Sequence, residues 1–298
     1  MKVLKFGGTS VADSQSISHV VDIIKRSKET KQVVVVSALG GITNLLVEMA
    51  EKASEGDIKY KTSISAIEKR HLDPILHFIP VTRQSEIISF LKSQLNSLEE
   101  LLESIFTLKE LTPKSLAKVS SFGEILSSNI IFKSLKYLDQ DVVLKDAREL
   151  LFTEEVNERE VIDQKKSQKA CNTFFENNDS AIVLIPGFIA TDENDEITNL
   201  GRGGSDYTAA LIANYTNAEV LEIWTDVSGM YTAHPSLVSQ ALPIASLSYN
   251  EAMELSHFGA KVIYPPTLQP LIEKGIPILI KNTFNADAKG TRIDKKGS

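Results

Sequence analysis

The segment QVVVVS, residues 32–37, places four valines in succession. Side chains along a β-strand alternate between its two faces, so a strand apolar at every position needs both faces covered. AIVLI (181–185) and IPILI (276–280) share the pattern, and KVLKF (2–6), DVVL (141–144) and VLEIW (220–224) are further runs rich in β-branched, aliphatic or aromatic residues. Strands of this kind belong to a mostly parallel sheet with helices on both sides. Helical patterns lie between them. The clearest is 86–106, where Ile87, Ile88, Leu91, Leu95, Leu98, Leu101, Leu102 and Ile105 recur at three- and four-residue steps and make one apolar stripe. Strands alternating with helices predict an open α/β sandwich. TDENDEITN (191–199) is polar between two extended pieces, which predicts a hairpin tip with a solvated acidic face.

With 298 residues and 42% apolar content, the chain can bury a sizeable core without covalent staples. Its one cysteine, Cys171, excludes a disulfide within the chain and a cysteine-based zinc site. No charged-then-apolar leader opens the sequence and no window reaches the length of a membrane span, so the expectation is a cytoplasmic protein with no membrane partner. A net charge of −7 argues against a nucleic-acid partner, because duplex binding needs clustered Lys and Arg. An anionic ligand would have to find its positive charges locally.

Those charges gather where strands run into glycine. KFGGTS (5–10), SALGGITN (37–44) and PGF (186–188) each follow a strand, and GRGGSD (201–206) leads into a helix beginning near Ser205. In open α/β sheets ligands sit beyond the carboxyl ends of the strands. Glycine lets backbone N–H groups approach a phosphate, and a helix N-terminus adds unpaired donors. Tight strand-to-helix turns also use glycine, but four such loops with Lys5, Thr9, Ser37, Thr43, Arg202 and Ser205 beside them point to an anion cradle. The cradle is not a P-loop, because neither GGTSVAD nor GGITNLL supplies the Gly-Lys step. Nor is it a dinucleotide fingerprint, since Asp206 stands where the last glycine of G-x-G-x-x-G belongs. The H-R-D and D-F-G signatures of protein kinases are absent as well.

The ordered set VLKFGGTSVA, VVSALGGITN, SFGEILSS, GFIATDENDEITNLGRGGSDYTAA, EIWTDVSGMYTAHP and MELSHFGAKVIYPPTLQP resembles that of the aspartokinases, in the amino-acid kinase superfamily, and in particular the kinase portion of the bifunctional aspartokinase–homoserine dehydrogenases. The resemblance runs from residue 2 to about 293. It implies a three-layer α/β sandwich of the amino-acid kinase, carbamate kinase-like fold spanning 1–298. Within it, about 1–190 would form an N-terminal lobe for the amino acid and about 191–298 a C-terminal lobe for the nucleotide. The implied reaction moves the γ-phosphoryl group of ATP, with Mg²⁺, to the β-carboxylate of L-aspartate. A carboxylate is already deprotonated at neutral pH, so the nucleophile needs no general base.

Residue by residue, the resemblance implies that Lys5 and Asp206 are catalytic, Lys5 stabilising the transferred phosphoryl group and Asp206 orienting the lysine. Ser37, Thr43, Glu124, Phe188, Arg202 and Ser205 match substrate positions, with Arg202 on a carboxylate and Glu124 on the ammonium group. Lys5, Gly7, Gly8, Thr225, Asp226, Tyr231 and Lys261 match nucleotide positions, and Lys261 would follow a helix in SLSYNEAMELSHFGAKV that starts at Ser246 or Ser248. No metal ligand is identified, and the histidines at 19, 71, 77 and 257 have no metal-ligand spacing. The family's usual T-x-D-P-R reads TAHPS here, so His234 replaces an aspartate and Ser236 a phosphate-contacting arginine, which implies a raised KM for ATP. Neither an ACT regulatory domain nor a dehydrogenase follows the resemblance, and a homodimer is implied. A nucleotide- or amino-acid-binding sensor without turnover, or another acid kinase of the superfamily, stands as the alternative.

Overall fold

In a computed structural model that describes residues 1–26, 31–138, 140–157, 159–233, 238, 240–257 and 263–297, the four valines divide between two cores. Val34 and Val36 enter one, Val33 and Val35 the other. The chain runs β1 (Lys2–Phe6), α1 (Ser14–Arg26), β2 (Gln32–Val36), α2 (Ile42–Ser54), α3 (Thr62–Phe78), α4 (Gln84–Leu108), α5 (Pro113–Tyr137) and β3 (Val142–Leu144). It continues through β4 (Thr153–Val156), β5 (Arg159–Ile162), α6 (Gln164–Glu176), β6 (Ile182–Pro186), β7 (Ile189–Thr191), β8 (Ile197–Asn199) and α7 (Gly204–Tyr215). The last part is β9 (Val220–Thr225), β10 (Ser246–Ser248), α8 (Tyr249–His257), α9 (Gln269–Lys274), β11 (Ile278–Asn282) and β12 (Thr291–Asp294).

The main sheet has the order β10-β12-β11-β9-β1-β2-β6-β3 and is parallel except where β11 meets β12. Helices α1 to α5 pack on the face that receives Leu4, Val34 and Leu184. On the face that receives Val3, Val33 and Val183 lie α6 to α9. The expected α/β sandwich is therefore present in three layers. All six strands read from the sequence are found, and the stripe from Ile87 to Ile105 is buried along α4 except at its margins, where Ile88 and Leu101 are only partly buried. The long helix α5 starts where the sequence dictates, with Pro113 at its first position and the Thr112 hydroxyl accepting the Ser115 N–H.

Three expectations change. Ser246 lies in strand β10, and Ser248 alone caps α8: its Oγ accepts the Glu251 N–H while the Glu251 carboxylate accepts the Ser248 N–H. The hairpin β7–β8 is found as expected, but its acidic tip is not uniformly solvated, because Asp192 is buried and accepts from the N–H groups of Asn194 and Glu196. Exposed Lys114 on α5 pairs with both Asp192 and Glu196 and ties the hairpin to that helix. Strands β4, β5, β10 and β12 were not anticipated; TEEV in β4 carries two glutamates and only one clearly apolar residue, so it gives no β signal.

Candidate active site

The sheet geometry decides where Lys5 points. Lys5 shares the face of Val3, which is the face covered by α7, and there its Nζ lies 2.6 Å from Asp206 Oδ1. Both side chains are nearly buried, which strengthens the attraction relative to a surface pair. The ion pair opens into a cavity of about 510 Å³. Ser37, Thr43, Glu124, Phe188, Arg202 and Ser205 all line it, together with Lys5, Asp206 and Gly8. Every expected substrate position is therefore in one place.

The glycines are required by close approach. An ideal Cβ on Gly40 would sit 3.0 Å from the Gly8 carbonyl oxygen, and one on Gly8 would sit 3.2 Å from the Ala38 carbonyl oxygen, so the loops after β1 and β2 press together. Gly41 at φ +79° then turns the chain into α2, whose first turn carries Thr43. Gly203 at φ +69° does the same for α7, whose first turn carries Ser205 and Asp206. Two helix N-termini thus open onto one cavity, adding unpaired N–H donors and partial positive charge to Lys5 and Arg202. In a chain of charge −7, this is the local positive field an anionic ligand needs.

Glu124 is the exception among these cations. It projects from α5, is buried, and its Oε2 has no hydrogen-bond partner among the described residues. Burial pushes its pKa up to about 8, against the opposing pull of the Ala38 amide and of Lys5. A buried carboxylate oxygen without a donor marks a place for a cationic ligand group. Gly123 lets α5 come this close: a Cβ there would meet Ala38 Cβ at 2.7 Å. Gly123→Ala is expected to cost about 1–3 kcal/mol through overpacking, read as a lower urea midpoint.

Arg202 is exposed between Gly201 and Gly203 and makes no contact with another charged group of the described residues. Phe188 is held at φ +70°, rare for a bulky residue, and the Ile189 N–H donates to the Gly187 carbonyl across it, closing a γ-turn. Gly187 cannot carry a side chain because its Cβ would meet Ser205 at 2.6 Å.

The expected nucleotide residues are less gathered. Gly7 donates to the Trp224 carbonyl, which sets it beside Thr225 at the carboxyl end of β9. The Thr225 hydroxyl donates to the Asp226 carboxylate, and Tyr231 bridges to Pro243. Thr225, Asp226 and Tyr231 do not line the cavity that holds Lys5. Lys261, His234 and Ser236 lie outside the described residues. Three polar cavity residues escaped the sequence reading: Asn44, Ser120 and Asn199. Ser120 was within reach, since it precedes Glu124 by one helical turn and so shares its face. Asn44 and Asn199 had no signal beyond adjacency to their motifs.

The model of the amino acid kinase family matches residues 1–282. The bifunctional aspartokinase/homoserine dehydrogenase of Buchnera aphidicola is 37% identical over 98% of this chain and 36% of its own length. Aspartokinase 1 of Arabidopsis thaliana is 33% identical over 98% of the chain and 52% of its own length. Among solved structures, Escherichia coli aspartokinase III in complex with aspartate and ADP superposes with a TM-score of 0.91 at 31% identity, over 100% of this chain and 65% of that one. The chain thus spans from about a third to just under two thirds of the length of these relatives.

Proposed function

The chain belongs to the amino acid kinase family, and from that premise we propose that it transfers the γ-phosphoryl group of ATP to the β-carboxylate of L-aspartate, giving 4-phospho-L-aspartate. The observation that carries this reading is the pairing, in one cavity, of a buried carboxylate lacking a donor with an unpaired guanidinium and a lysine–aspartate pair. An acceptor with one ammonium and two carboxylates matches that set. Glu124 would take the ammonium group, Arg202 the α-carboxylate through a two-pronged hydrogen bond, and the hydroxyls of Ser37, Thr43 and Ser205 the remaining oxygens. Phe188 would close the apolar side. The similarity to an aspartokinase solved with aspartate and ADP supports the same choice.

The β-carboxylate attacks without a base, so the site's work is positioning and charge neutralisation. Lys5 would meet the charge on the transferred phosphoryl group, held in place by Asp206. Gly7, Gly8, Thr225, Asp226, Tyr231 and Lys261 are proposed to take the nucleotide, in a C-terminal lobe from about residue 191, with the amino acid in the N-terminal lobe. Among the described residues there is no group of three His, Cys, Asp or Glu side chains able to hold a metal. Mg²⁺ would then be carried mainly by phosphate oxygens and water, the usual habit of this ion, with Asp226 the carboxylate on the proposed nucleotide side. A homodimer belongs to the same reading. No helix among the described residues is long and apolar enough to cross a membrane.

The test is ADP release from Mg-ATP with hydroxylamine present to trap the acyl phosphate. L-Aspartate is expected to turn over, L-glutamate and N-acetylglutamate not. Turnover with N-acetylglutamate and not with L-aspartate would overturn the assignment of Glu124 and the substrate together. Binding of ATP or L-aspartate without turnover would support the sensor reading, which the replacements at His234 and Ser236 favour.

A further inference from the structure

The loop that carries Arg202 is fastened from behind by a side chain that does not touch the cavity. Thr208 is fully buried on α7, one turn after Gly204. Its hydroxyl accepts the Phe188 N–H at 3.0 Å and donates to the Gly204 carbonyl at 3.0 Å. The Phe188 carbonyl in turn accepts the Leu200 N–H at 2.8 Å. Hydrogen bonds therefore run from Leu200 through Phe188 and Thr208 to Gly204, closing a ring around the segment that presents Arg202. Inside that ring the Gly204 N–H donates to the Gly201 carbonyl, and the Asn199 side chain accepts the Gly201 N–H.

A threonine in a helix commonly donates to the carbonyl one turn back, and that bond alone would be unremarked. The bond from Phe188 is different. Phe188 sits at φ +70° in a γ-turn, a conformation that persists only where its surroundings hold it. Packing holds it on one side, since a Cβ on Gly204 would meet its ring at 2.7 Å. On the other side the Thr208 hydroxyl satisfies its N–H, which would otherwise be left without an acceptor. One hydroxyl thus fixes both the strained aromatic residue of the cavity and the first turn of the helix that bears Ser205 and Asp206.

We propose that Thr208 is a positioning residue for the acceptor: through Phe188 and Gly204 it sets the place of the Arg202 loop. This rests on the reading of the cavity as an amino-acid acceptor site. Thr208→Val keeps the shape and removes both hydrogen bonds, whereas Thr208→Ser keeps the hydroxyl. Thr208→Val is expected to raise the KM for L-aspartate about tenfold, the size of two lost neutral hydrogen bonds, with the KM for ATP unchanged. Thr208→Ser is expected to stay within about twofold of the parent protein, since it retains both bonds. Amide hydrogen exchange, followed residue by residue, is expected to quicken at Phe188, Leu200 and Gly204 in the valine variant and to be restored in the serine variant.

An unchanged KM for L-aspartate in Thr208→Val, whatever the exchange shows, would reduce Thr208 to a structural residue and overturn the proposal. So would a general loss, with both KM values and the melting temperature changed and no rescue by serine. If the parent protein does not turn over L-aspartate, the functional reading falls by itself. The exchange data then decide: protection at 200–204 lost with valine and regained with serine upholds the fastening of the loop, and unchanged protection removes it.

Discussion

Lys5→Ala is expected to lower kcat by about a hundred- to a thousandfold, the loss typical of removing one donor aimed at charge that develops in the transition state. Two features of the structure set this expectation. The Lys5 ammonium is nearly buried and lies 2.6 Å from Asp206, so it is fixed before substrate arrives and no reorganisation is needed when the phosphoryl group moves. The one other Lys or Arg among the described residues that lines the cavity is Arg202, which the proposed reading commits to the acceptor carboxylate. Asp206→Asn is expected to lower kcat as well, by less, since the lysine remains but is no longer held. The double variant is expected to be no slower than Lys5→Ala alone, because the aspartate acts through the lysine. Steady-state rates of the three proteins measure this, and a double variant slower than Lys5→Ala by the product of the single losses would give Asp206 a separate part in the reaction.

Glu124 makes acceptor binding depend on pH. Burial in the protein alone pushes its pKa up to about 8, so at pH 7 the carboxyl is mostly protonated. Pairing with an ammonium group requires the ionised form, and binding must therefore release a proton. Below pH 8 the ionised fraction falls from about a half toward a tenfold loss per unit, so the KM for L-aspartate is expected to rise about fiftyfold from pH 8 to pH 6 and to level off above pH 8. Glu124→Gln is expected to flatten the profile. A charged hydrogen bond is worth about 1.5–3 kcal/mol, so at high pH the variant binds about ten- to a hundredfold more weakly, and the two curves approach one another at low pH. Stability shows the opposite trend. With the folded pKa raised above the ordinary 4.5, the fold favours the protonated carboxyl, and stability is lost as pH rises from 4.5 through about 8. Glu124→Gln removes that loss and is expected to unfold at a higher urea concentration than the parent at pH 8. A KM profile that keeps its slope in Glu124→Gln would place the titrating group elsewhere.

The sheet was legible because its strands are buried on both faces: the four valines at 33–36 interrupt their run with no polar residue that could be read another way. TEEV and REVI were not, because β4 and β5 form a hairpin outside the main sheet and carry charges that suit solvent. In the site, the glycine loops pointed to Lys5 and Arg202, the resemblance to the aspartokinases added Glu124 and Asp206, and the cavity does contain all four. What sequence could not supply was environment. That Glu124 keeps one oxygen without a donor depends on Gly123 letting α5 approach Ala38, a contact between segments far apart in the chain. The positive φ of Phe188 was hidden for a related reason. Nothing local in PGF demands it, and it is held by Thr208 and Leu200 from elsewhere.

β1, one of the two middle strands of the main sheet, precedes the other strands of that sheet in the chain. β1 pairs with β2 soon after it emerges, but its other partner is β9, so Lys2 waits for Val220 and Lys5 waits for Asp206. At ribosomal speeds of about 5–20 residues per second, the wait lasts about 10–40 s. Throughout it, Val3, Val33 and Val35 face the side where α7 has yet to arrive. The half-built sheet therefore presents an apolar face and an open strand edge until β9 and α7 arrive to cover them.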